Sequence, residues 1–130
     1  MLAELPPDVP ALVAAAPAGA PIAIEEAIRF RPDKFHAAPL WASKDVRLMV
    51  FALEPGQSLP DHATPSEVLM LVQQGHGSFR VGDRRFTARQ GDLVPVGPGV
   101  AHGFEAHGER LVVLAVIAPN PKAIGLEPGS

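Results

Sequence analysis

The sequence predicts an all-β protein, an antiparallel sandwich or barrel, on three observations. Twelve glycines and 15 prolines in 130 residues punctuate the chain too often for a helical bundle. Short apolar runs recur about every ten residues, each closed by a Gly, Pro or Asp turn. Within several of these runs apolar and polar residues alternate, the period of a strand with one buried face. A 47% hydrophobic and 19% charged composition supplies a core and excludes wholesale disorder. The length fits one domain.

Residues 1–40 read as an N-terminal arm. Pro6, Pro7, Pro10, Pro17 and Pro21 leave room for one short helix near 11–16. Residues 22–30 are ambiguous, because Ile22 and Ile24 alternate like an edge strand while Glu25, Glu26, Ala27 and Ile28 suit a helical turn. The barrel is expected over 41–118, as seven or eight strands. Residues 46–53 alternate and end in the turn Glu54-Pro55-Gly56. Residues 68–72 are apolar on both faces. Strands 78–81 and 86–88 follow, closed by Gly82-Asp83 and Gly91-Asp92. Residues 93–96 run into Gly97-Pro98-Gly99, and 102–105 and 111–117 complete the set. The Pro- and Gly-containing stretch 119–130 reads as a loose tail. There is no internal repeat.

Several function classes fall away. With no cysteine there are no disulfides, thiolate nucleophiles or cysteine metal sites, which fits a reducing compartment. Eleven basic and 14 acidic residues give a net charge of −3 with no basic cluster, so no nucleic-acid partner is expected. No apolar stretch approaches the roughly 20 residues needed to span a bilayer, so no membrane partner is expected either. Residues 11–20 lack a preceding Lys or Arg and are broken by Pro17, a poor signal peptide. The expectation is a cytoplasmic protein. Ser58, Ser66 and Ser78 lack the Gly-x-Ser-x-Gly elbow of a nucleophilic serine. The glycine pairs at 75–77 and 97–99 are turns, too short to cradle a phosphate.

Two stretches carry the chemistry. The first is Gly56-Gln57-Ser58-Leu59-Pro60-Asp61-His62-Ala63-Thr64-Pro65-Ser66-Glu67-Val68, leading on to Gly75. The second is Gly91-Asp92-Leu93-Val94-Pro95-Val96-Gly97-Pro98-Gly99-Val100-Ala101-His102-Gly103-Phe104. Together they resemble the two signature motifs of the cupin family, with Gly56 and His62 spaced as in the first and Gly91, Gly99 and His102 as in the second. The resemblance covers about residues 46–118. It implies a jelly-roll β-barrel with a pocket between its sheets, and a homodimer formed through outer strands.

The departures bear on function. Of the family's three-histidine-plus-glutamate metal set, only His62 and His102 stand in place. Thr64 occupies the second histidine position, Val68 the glutamate position, and Ala106 the final asparagine position. On a strand His62, Thr64 and Val68 share a face, and Glu67 looks the other way. A bulge near Pro65 would reverse this and bring Glu67 inward; similarity to small cupins with His-x-Thr-Pro here favours Glu67 outward. The expected pocket is lined by His62, Thr64, Met70, His102 and Phe104, with His62 and His102 as candidate ligands of a divalent metal (Zn, Fe, Mn or Ni). His76 and His107 are expected in solvated turns, and His36 as a structural residue. Two functions remain open: a module binding or sensing a small organic molecule, and a metal-dependent dioxygenase or isomerase. A purely structural partner protein is a third. The two-sided run at 68–72 needs a covering layer, from the arm or from a second subunit.

Overall fold

A computed structural model describes residues 19–121; the expected helix near 11–16 and all of the tail beyond residue 121 lie outside these. Among the described residues there are nine strands: β1 (His36–Ala42), β2 (Arg47–Leu53), β3 (Ser58–His62), β4 (Glu67–Gln74), β5 (His76–Val81), β6 (Arg84–Arg89), β7 (Leu93–Val96), β8 (His102–Ala106) and β9 (Leu111–Ala118). They form a five-stranded sheet in the order β1-β2-β9-β4-β7 and a four-stranded sheet in the order β3-β8-β5-β6. Every strand pairing is antiparallel. The protein is therefore an antiparallel jelly-roll barrel. Among the described residues no helix is long and apolar enough to cross a membrane.

The prolines explain where the strands sit. Pro39, Pro60 and Pro95 fall in β1, β3 and β7, each at the edge of its sheet. An edge strand has one side free of ladder bonds, so the missing N–H of proline is tolerated there. Residues 58–62, assigned to no element from the sequence, can therefore form a strand despite Pro60. The ambiguous stretch 22–30 contains a 3-10 turn at Ile24–Ala27. β1 starts at His36 within the arm, and His36 is buried. His76, expected in a turn, opens β5. The corner is made by Gly75 alone, at φ +77° and with its Cα against the carbonyl of Arg110.

The inward faces meet in a core around Phe79 and Phe104, whose ring centroids lie 5.1 Å apart, with Leu53, Met70, Val72, Leu111 and Val113 around them. A second apolar cluster lies on the outer side of β1, β2 and β9, where Leu40, Val50 and Val112 pack under Ile22, Ile24, Ile28 and Phe30. This segment covers β1, β2 and β9 rather than the expected run 68–72, and it explains why Val112 and Val113, on opposite faces of β9, are both fully buried. Arg110 ties it down by lying 4.1 Å over the Phe30 ring while bonding both carboxylate oxygens of Glu54. The cover stops short of β4 and β7, where Leu69 and Leu93 remain 40% and 56% exposed.

Candidate functional site

The site grows from an irregularity in β3. Leu59 pairs with Phe104 and His62 with His102, so three steps along β3 match two along β8. Residues 59 and 62 of a regular strand would face opposite ways; the extra residue lets both point inward. Arg80 on β5 secures this bulge, donating from Nε to Asp61 Oδ1 at 2.6 Å and from Nη2 to the Leu59 carbonyl at 3.2 Å. The guanidinium crosses directly over Gly103. A Cβ at that position would lie 2.5 Å from Asp61 Oδ1 and 2.7 Å from both Arg80 Nη2 and the Leu59 oxygen. Only glycine fits beneath the clamp.

The two histidines are prepared in the same way. His62 Nδ1 donates to the Pro60 carbonyl at 3.2 Å, and His102 Nδ1 to the Val100 carbonyl at 2.9 Å. A carbonyl oxygen can only accept, so each neutral ring carries its proton on Nδ1 and presents Nε2 as an acceptor. The ring centroids stand 4.4 Å apart. His102 is 3% exposed. Burial holds its pKa below the ordinary value, and the neighbouring His62 ring acts in the same direction; the Val100 carbonyl and Asp61 oppose the shift.

Both rings line a small cavity between the sheets. Its volume is about 30 Å³, and its walls include Phe51, Leu59, Thr64, Val68, Met70, Phe104, Ala115 and Ile117. That is room for about two water molecules. All five residues expected from the sequence, His62, Thr64, Met70, His102 and Phe104, meet here. Phe51, Ala115 and Ile117 were not foreseen, because which residues of β2 and β9 reach the cavity depends on pairings between strands far apart in sequence. Leu59 was missed because of the bulge. Glu67 is exposed and faces away, while Val68 beside it is 3% exposed; residues 63–66 form a bend between β3 and β4 rather than a strand, and Glu67 is not turned inward. Outside the cavity, His76 lies 3.4 Å from Glu109 and edge-on to His107, with ring centroids 5.8 Å apart.

The donor set does not fit a resident transition metal. Among the described residues no three His, Asp or Glu side chains converge. The Thr64 hydroxyl already accepts from the Ser66 amide at 3.4 Å. Zinc and its neighbours in the first transition series take three or more protein ligands of imidazole or carboxylate type. His62 and His102 supply two.

Comparison with known proteins bears on the same elements. The model of the cupin domain family matches residues 49–117, more than half of the chain. The chain is a cupin. Among solved structures it is similar to an RmlC-like cupin from Desulfovibrio desulfuricans, 30% identical, with a TM-score of 0.66 over 72% of this chain and 91% of that one. A cupin superfamily protein from Desulfitobacterium hafniense is 20% identical, with a TM-score of 0.68 over 80% of this chain and 94% of that one. A DMSP lyase from Ruegeria pomeroyi is 21% identical, with a TM-score of 0.63 over 68% of this chain and 48% of that one. No curated protein matches the cupin significantly.

Proposed function

We propose that this cupin is a binding or sensing module whose two neutral imidazoles accept hydrogen bonds from the tip of a small organic molecule. The observation that carries the reading is the pair of Nδ1–H bonds to the Pro60 and Val100 carbonyls, which leaves two Nε2 acceptors in one small cavity. Such a site selects a hydrogen-bond donor: a hydroxyl, amine or amide. The surrounding phenylalanines and Met70 suit an apolar neighbour to that group. At about 30 Å³ the cavity takes a tip of a few heavy atoms; Met70, unbranched and with three rotatable side-chain bonds, is the wall residue that yields to anything larger.

A second reading, a metal-dependent enzyme, is favoured by those same carbonyl bonds, since metal-bound imidazoles are oriented in this way. It requires the ligand or solvent to complete a shell that the chain leaves short. Titrations of the full chain with ethylamine, acetamide and Zn²⁺ separate the two. The module reading expects ethylamine or acetamide to shift the imidazole signals of His62 and His102 saturably, and His102→Ala to abolish the response. Stoichiometric Zn²⁺ binding at these rings, with no response to either organic probe, would overturn it.

We further propose that the cupin forms a homodimer through the uncovered strip of β4 and β7. Leu69 and Leu93 are the two large apolar side chains left exposed there. Light scattering should give twice 13.7 kDa, and Leu93→Asp should shift the protein toward monomer. A monomeric mass for the unmodified chain refutes the proposal.

A further inference from the structure

A second and larger cavity lies on the outer face of the four-stranded sheet, toward the opposite end of its strands from the histidine pair. It is an open depression of about 420 Å³, walled largely by exposed side chains. Gly75, His76, Thr87, Arg89, Gln90 and Glu109 line it. His102 pairs with Val81 at the far end of β5, five residues from His76, which separates the two sites by about 16 Å at the rise of a strand.

The polar groups stand on fixed backbone. His76 and Arg89 are direct cross-strand partners, and Thr87 lies two residues before Arg89 on the same face. The turn carrying Gln90 is closed by Asp92, whose amide donates to the Arg89 carbonyl at 2.8 Å and whose carboxylate accepts from the Arg89 amide at 2.9 Å. The Gln90 amide donates to the Gly75 carbonyl at 2.9 Å, joining this turn to the β4–β5 corner. On the opposite wall Glu109 lies 3.4 Å from His76 Nδ1.

Arg89, like Arg84 and Arg85 on the same strand, is an exposed cation with no ion pair among the described residues, and it alone of these three lines the depression together with Thr87 and Gln90. Arg80 is committed to Asp61, and Arg110 to Glu54 and the Phe30 ring. Among the described residues no carboxylate pairs with the Arg89 guanidinium. A guanidinium without a counter-ion, flanked by a hydroxyl and an amide, is the donor set for a carboxylate, which it takes in a two-pronged hydrogen bond. The His76–Glu109 pair facing it supplies an acceptor for a second polar group of the same ligand.

We propose that this cavity binds small hydroxycarboxylates, with Arg89, Thr87 and Gln90 holding the carboxylate and the His76–Glu109 pair accepting the hydroxyl. The assignment is independent of the histidine pair. Glycolate is titrated into the full chain while backbone amide signals are followed by NMR. Saturable shifts are expected at residues 75–76, 87–90 and 109, with a dissociation constant of about 1 mM or tighter, the affinity of a few good polar contacts. Arg89→Gln should weaken binding about tenfold or more, the loss of a charged hydrogen-bonding partner. Arg89→Lys, which keeps the charge and loses the fork, should weaken it as well, and His102→Ala should leave it unchanged. Glycolamide, without the anion, should not bind, and acetate, without the hydroxyl, should bind more weakly than glycolate. No saturable shift with glycolate, full affinity in both Arg89 variants, or equal affinity for glycolamide would overturn the proposal.

Discussion

Replacing Gly103 by alanine tests the clamp that turns His62 into the cavity. The added Cβ would stand 2.5–2.7 Å from Asp61 Oδ1, Arg80 Nη2 and the Leu59 carbonyl, so the guanidinium must leave its place. Two hydrogen bonds go with it, at 2.6 and 3.2 Å. Bonds to charged groups contribute about 1.5–3 kcal/mol each. Arg80 is only 16% exposed, but Asp61 is 46% exposed, and solvent screening brings the pair down to about 2 kcal/mol. Displacing the Leu59 carbonyl adds about 1 kcal/mol, and the lower chain entropy of unfolded alanine returns a similar amount. The net loss is about 2 kcal/mol, or a fall of about 8 °C in Tm for a domain of this size. Urea and thermal denaturation read it directly. In an Arg80→Met background the same substitution should cost less than about 1 kcal/mol, because the group it displaces is gone. A Gly103→Ala protein within about 0.5 kcal/mol of the parent, or full additivity with Arg80→Met, would show that the clamp does not hold the bulge.

Gly75→Ala should be more damaging still, at about 3 kcal/mol or more: φ is +77° and the new Cβ would meet the Arg110 carbonyl, so loss of soluble folded protein is expected on expression. The depressed pKa of His102 means that the unfolded chain takes up a proton before the folded one does. Stability is therefore full above pH 6.5 and is lost as pH falls below it, and His102→Gln should flatten the urea midpoint between pH 7.5 and 5 relative to the parent. Glu67→Gln should leave Zn²⁺ and small-molecule binding at the histidine pair unchanged in calorimetry, since the side chain faces solvent. Phe104→Ala, which empties a fully buried ring position beside Phe79, should cost about 3–5 kcal/mol in denaturant unfolding.

Much of the architecture was legible because its signals are local. The alternation over 46–53 marks β2, and the short apolar runs 93–96 and 111–117, bounded by turn residues, mark β7 and most of β9. The spacing of His62 and His102 from their flanking glycines singled out both residues, and strand alternation added Thr64, Met70 and Phe104, all of which line the same cavity. The composition alone excluded disulfides and cysteine metal centres, for it contains no cysteine. What required the tertiary structure was every feature that depends on chain segments far apart. The bulge that brings Leu59 and His62 to one face is held by Arg80, 18 residues beyond His62, across a glycine on a third strand. Phe51 and Ile117 reach the cavity through the pairing of β2 and β4 with β9, and Arg89 and Glu109 come to line one depression beside a corner closed by Gly75. Strand propensity and turn chemistry act over a few residues and can be read along the chain; register and the direction of an irregular strand are set by which strands lie side by side, and only the folded sheet decides that.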